Sequence, residues 1–231
     1  MKKEKRSASK IIGAILFISL ALSVIYSAIR LILAPESIAE GSEYTKVKSD
    51  YLLMLTQCTL GLIVMTLPSI ISRKWKLEIP HFIYLLYYLF LYCSVFLGEV
   101  FDFYYVVPHW DTMLHFFSGG MLGALGFILV DLLNREQKVR VQLSPLFVAI
   151  FAFCFALAAG AVWEIYEYTC DTLLKLNMQK YATEHGVELI GRAALRDTMK
   201  DIIFDAIAAL GVAILGYLSI AKKSSAPDEA L

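Results

Sequence analysis

The 231-residue chain is 58% hydrophobic, with a mean hydropathy of +0.64. That is too apolar for a soluble domain of this length and indicates a multi-pass membrane protein. Twenty-one basic and 21 acidic residues give a formal net charge of zero. No excess positive charge is available for nucleic acid, so the expected surroundings are membrane lipids, and the placement of charge matters more than its sum.

Taken in chain order, six stretches reach the roughly 20 apolar residues that one helical crossing needs. They are Ile11–Ala34, Tyr51–Ser72, His81–Phe103, Thr112–Leu133, Pro145–Cys170 and Thr198–Ala221. No soluble domain fits in the loops between them. The fold class read from this pattern is all-α: one integral membrane domain over residues 1–231, a six-helix bundle. The first span has a basic start, and Ser37-Ile38-Ala39 resembles a cleavage tripeptide. Its apolar run exceeds the roughly 7–15 residues of a signal-peptide core, so it reads as a retained span.

Lys and Arg set the orientation. Lys2, Lys3, Lys5, Arg6 and Lys10 precede the first span, and Arg73, Lys74 and Lys76 follow the second. Arg135, Lys138 and Arg140 follow the fourth, and Lys222 and Lys223 follow the sixth. A single arrangement places these 13 of the 21 basic residues on one side, with both termini in the cytoplasm of a cell bounded by a plasma or inner membrane.

Spans four to six are rich in small residues: Gly119, Gly120, Gly123 and Gly126, then Ala156 to Ala161 around Gly160, then Ala206, Ala208, Ala209, Gly211, Ala213 and Gly216. Small residues let membrane helices approach closely, so these spans are expected to form the tight centre. Aromatic residues such as Tyr104, Tyr105, Trp110, Trp163 and Tyr168 gather near the outer ends and read as an interfacial belt. Cys58, Cys93, Cys154 and Cys170 lack metal-ligand or redox spacing and read as small apolar fillers. The segment 172–196 is the longest loop, read either as a lid over the outer ends or as an ordinary surface loop. Within it Leu173–Ala182 is expected as a short helix on the membrane surface.

The chemistry-bearing residues collect at the outer ends of the last four spans: Glu99 and Asp102, Asp111 and His115, Glu164, Glu167 and Asp171, and Asp197, Asp201 and Asp205. Ionisable groups at membrane depth are costly and mark function. Their spacing keeps them on single helix faces. Asp111 and His115 are four apart, Glu164 to Asp171 fall within an arc of roughly 60°, and Asp197 to Asp205 drift by about 40° per step over ~12 Å. Asp205 therefore lies about two turns inside the membrane. Asp111 and Asp197 also suit helix N-caps, and Asp102, Glu99 and Asp171 also suit headgroup positions.

So many carboxylates cannot all be bare anions in a low dielectric. Arg192, Arg196 and Lys200 are too few to neutralise them. A shared divalent cation resolves this, and oxygen ligands with one imidazole suit Mg2+ or Mn2+ ahead of Zn2+. The expected ligands are Glu99, Asp111, His115, Glu164, Glu167, Asp171, Asp197, Asp201 and Asp205, with Arg192 and Arg196 to hold a phosphate-bearing substrate. Asp111-Thr112-Met113 and Asp197-Thr198-Met199, each preceded by acidic-x-x-acidic, also suggest two related helical hairpins.

The run from Glu99 to Gly123, Trp163-Glu164-x-x-Glu167 and Asp197-Thr198-Met199-Lys200-Asp201-x-x-x-Asp205 resemble the YjdF-like family of bacterial membrane proteins. The resemblance covers most of the chain from the third span onward. It implies a six-helix membrane protein and supplies no reaction or catalytic role. The functional expectation is metal-dependent chemistry on a lipid-linked or phosphate-bearing substrate at the extracytoplasmic face. Its rivals are a transporter of protons or divalent cations and a non-catalytic membrane assembly partner. The sequence does not define the oligomeric state.

Overall fold

A computed structural model describes residues 2–37, 45–76, 79–136, 143–183 and 186–225. Ile38, Ala39, Lys138, Arg140 and His185 lie outside the described residues. Among the described residues the chain is built on helices: α1 (Lys2–Leu33), α2 (Lys48–Val64), α3 (Leu67–Lys74), α4 (His81–Leu91), α5 (Phe103–Val106), α6 (Trp110–Glu136), α7 (Pro145–Leu174) and α8 (Arg196–Ser225). Six helical stretches are long and apolar enough to span: Ala8–Leu33, Lys48–Lys74, His81–Val100, Trp110–Asn134, Pro145–Leu174 and Arg196–Lys222. The six expected spans are all present. Large apolar side chains face outward along them, as in Ile32 at 80% exposure, because lipid rather than water is the solvent there.

The chain divides into two compact units, the first running from Met1 to Asp111 with parts of the long loop. In this first unit α1 buries one face, Leu16, Leu20, Ser23 and Ser27, at helical spacing. Leu20 packs on Gly61 of α2, where an added Cβ would meet its Cδ1 at 3.0 Å. Arg30 donates from Nε to the Tyr51 hydroxyl at 3.0 Å, and its guanidinium lies 5.0 Å from that ring's centroid. A cation near a membrane surface is well held by such a ring.

The second span is broken between α2 and α3, which single-span reading of the sequence did not show. Pro68 has no N–H to offer Val64 four residues back, so the Val64 carbonyl loses its helical partner. In lipid an unbonded carbonyl is expensive. The Tyr87 hydroxyl of α4 donates to it at 2.8 Å. The second half of the third span, Tyr92–Val100, is π-helical. There the Trp110 indole donates to the Cys93 carbonyl at 3.3 Å. Asp102 ends the stretch in the left-handed region (φ 59°) and pairs with Lys46 at 2.7 Å.

The second unit comprises residues 112–171, 178–181 and 188–231. Its frame is α6, α7 and α8. Small residues set the approach: a Cβ on Gly126 would stand 2.7 Å from the Ala152 Cα of α7, and one on Gly119 would stand 2.7 Å from the Asp205 Cα of α8. Backbone meets backbone at both places. Gly119 faces Asp205, Gly123 faces Ala209 and Phe127 faces Gly216, so α6 and α8 run in the same direction. Gly126 against Ala152 together with the later Gly160 near Asp205 sets α7 antiparallel to both. Ala152, Ala156 and Ala209 are fully buried along these seams.

The expected surface helix at Leu173–Ala182 does not form. α7 continues to Leu174, and Lys175 then takes a left-handed conformation (φ 58°), which stops the helix. Residues 175–182 form an irregular strap, because their amides find partners elsewhere, as described below.

Candidate metal centre

Within the second unit three helices deliver buried ionisable groups to one place. α6 supplies His115, one turn after Asp111. α7 supplies Glu164, and α8 supplies Asp201 and Asp205. His115 is 8% exposed, Glu164 5%, Asp201 2% and Asp205 1%. The four-residue step from 201 to 205 keeps both α8 carboxylates on the face turned to α6 and α7.

Asp205 is held on all sides. His115 Nδ1 lies 3.2 Å from its Oδ2, and the Ser118 hydroxyl donates to its Oδ1 at 3.2 Å. Gly160 makes the space: a Cβ there would come within 2.5 Å of Asp205 Oδ2. Either ring nitrogen of His115 can serve as a donor or an acceptor, according to its tautomer. Nε2 faces Asp201 Oδ2 at 4.0 Å, too far for a hydrogen bond. Asp111, in the first turn of the same helix as His115, offers a third atom: the ligand atoms of Asp111, His115 and Asp201 all lie within 4.8 Å of one another.

The remaining acids have other partners. Asp171 is buried, and its two oxygens accept from the backbone amides of Met178 at 2.8 Å and Gln179 at 3.0 Å. Asp197 is paired with Lys180 at 3.6 Å. Glu167 accepts from the Trp163 indole of its own helix at 2.9 Å. Glu164 Oε2 receives the Gln179 side-chain amide at 3.5 Å, while its Oε1 is buried without a hydrogen-bond partner. The same Gln179 amide donates to Thr198 Oγ1 at 2.9 Å. Burial, with Asp171 and Glu188 nearby, pushes the Tyr181 phenol of the strap above its ordinary range. Arg192 and Arg196 are exposed around the start of α8. Glu99 and Asp102 belong to the first unit, where Glu99 lies on the π-helical stretch within electrostatic reach of Cys58.

Four contributors carried no functional signal when the sequence was read alone. Ser118 and Thr198 stand three residues after His115 and one after Asp197, so helical geometry could have found them. Gly160 is one turn before Glu164 and read only as a packing residue. Gln179 comes from the loop and left no periodic trace.

The fold and the acidic cluster define a multi-pass α-helical membrane protein with a group of acidic residues and histidine that could hold a metal ion. Residues 12–222 match the family described as "Predicted membrane protein (DUF2238)", and the chain belongs to that family. Among curated proteins it is similar to an "Uncharacterized protein" of Thermotoga maritima, at 28% identity over 133 residues. The match covers 56% of this chain and 60% of that relative, so the likeness spans less than two thirds of the relative's length. No solved structure matches the chain.

Proposed function

We propose that His115 Nε2 and Asp201, with Asp111 in the first turn of the same helix as His115 and Glu164 beside them, bind a divalent cation, Mg2+ or Mn2+ ahead of Zn2+, and use it on a phosphate-bearing or lipid-linked substrate. The observation that carries this reading is the two-sided environment of His115. One nitrogen is oriented by a carboxylate at 3.2 Å, and the other faces a second carboxylate at 4.0 Å. Two ligands on opposite sides of an ion, each bonded at about 2.1 Å, stand ~4.2 Å apart. The 4.0 Å gap is thus too long for a hydrogen bond and suited to an ion. A carboxylate behind a metal-binding histidine is a recurrent orienting device, and on this reading Asp205 orients and does not ligate.

Bound there, the cation would polarise a phosphoryl oxygen or lower the pKa of a water. Glu164 Oε1, buried and lacking a hydrogen-bond partner, would serve as a further oxygen ligand of the ion. Arg192 and Arg196 are exposed cations suited to a phosphate. The distribution of basic residues supports an orientation with both termini in the cytoplasm and this end of α6, α7 and α8 at the extracytoplasmic face of the cell membrane.

The test is Mn2+ binding to the purified protein in detergent micelles. Free Mn2+ at 100 times its Kd should raise stability by about 2.7 kcal/mol. Asp205→Asn should weaken binding by roughly 10–100-fold, as expected for loss of an orienting carboxylate. Asp201→Asn should weaken it further. A melting temperature insensitive to every divalent cation would refute the reading and leave the acids protonated or internally paired.

A further inference from the structure

We infer that Met178–Tyr181 is a gate over this site, with Gln179 as the gating side chain and Asp171 as its latch. The inference rests on the cation reading above. Asp171 ends the polar face of α7, and both its oxygens are committed to consecutive backbone amides of the strap, at 2.8 and 3.0 Å. An ionised carboxylate holding two amides is a strong local clamp. It fixes the strap where the Gln179 side chain reaches Thr198 at 2.9 Å and Glu164 at 3.5 Å. Lys180, in a left-handed conformation (φ 48°), adds an ion pair to Asp197 at 3.6 Å.

Five contacts therefore tie a four-residue segment across the ends of α7 and α8. Their chemistry opposes a cation. The Gln179 amide presents its N–H groups, the positive end of its dipole, to Glu164. A divalent ion that takes Glu164 as a further ligand competes with this amide for the same carboxylate. The bond it must displace is long, at the limit of a hydrogen bond, whereas the bond to Thr198 is short. The other Glu164 oxygen is buried and has no hydrogen-bond partner. The closed strap thus leaves a carboxylate half satisfied beneath a weakly bound amide. Cation binding to Glu164 and the closed position of Gln179 therefore compete.

The full-length protein in micelles tests this with two readouts. The first is Mn2+ association rate and Kd in wild type, Gln179→Ala and Asp171→Ala. Both variants should bind faster, and Gln179→Ala should bind about five-fold tighter, the worth of one net hydrogen bond. The second is the rate of trypsin cleavage after Lys180, identified by mass. Cleavage should accelerate in Asp171→Ala, and in wild type when Mn2+ is added. Binding seen only in the variants would support a latched gate. Mn2+ uptake and cleavage unchanged by either substitution would overturn the gate and leave the cation site standing. Mn2+ binding to none of the three proteins would refute the cation site itself and the gate with it.

Discussion

Replacing Gly160 with alanine isolates the orienting role of Asp205 without touching an ionisable group. The new methyl carbon would lie 2.5 Å from Asp205 Oδ2 and 3.2 Å from its Cγ. Ordinary contact requires about 3.5 Å, so the oxygen has to retreat by ~1 Å. The α8 backbone cannot supply that movement, because on its other side the Gly119 backbone of α6 already packs against the Asp205 Cα. The carboxylate itself must turn, and a displacement of that size is large against the 3.2 Å contacts to His115 and Ser118. Overpacking of this kind costs roughly 1–3 kcal/mol. Losing the orienting contact should weaken Mn2+ binding by about 10–100-fold. Gly211→Ala is the control, since a Cβ there meets nothing within 4 Å. Unfolding in micelles reads the first effect and Mn2+ titration the second. A destabilised Gly160→Ala protein that binds Mn2+ as wild type does would refute the orienting role, and one with neither effect would refute the packing argument too.

Two further outcomes follow from the fold. Tyr87→Phe should lower stability by about 1 kcal/mol by stranding the Val64 carbonyl, and adding Pro68→Ala should recover part of that loss because alanine supplies the N–H that proline lacks; no recovery in the double variant would disprove the repair. The His109→Cys variant, read with a membrane-impermeant thiol reagent on intact cells, should label from outside, whereas labelling only after lysis would reverse the proposed orientation.

The spans were legible because lipid demands long apolar runs and little else does. The break at Pro68 was not. The proline is visible in the sequence, yet the Tyr87 hydroxyl that makes it tolerable sits on another helix. The π-helical stretch after Leu91 was not legible either, and the Trp110 indole that reaches its Cys93 carbonyl lies 17 residues further on. At the site, the spacing of Asp201 and Asp205 and their depth showed that both are buried. Spacing fixes the face on which a carboxylate stands and says nothing of its partner. Asp171 and Asp197 share that face logic, but the strap takes them, through backbone amides and Lys180, and a loop has no period from which such pairings could be read.

The direction from which the site is loaded also bears on what it does. Beyond Asp205 along α8 come Ala209 and Ala213, both buried, and the facing seam of α7 carries Ala156 and Ala152. At Gly126 the α6 and α7 backbones meet so closely that a Cβ would stand 2.7 Å from the Ala152 Cα. These small side chains offer no ligand to replace an ion's hydration shell. The polar groups lie instead toward the strap: Glu164, Thr198, Gln179 and the Lys180–Asp197 pair. On the cation reading proposed above, an ion held by His115 and Asp201 would load from the strap end. Loading from the strap end suits a resident cation that acts on a substrate presented there, and Mn2+ flux measured in proteoliposomes of the purified protein would overturn that reading in favour of transport.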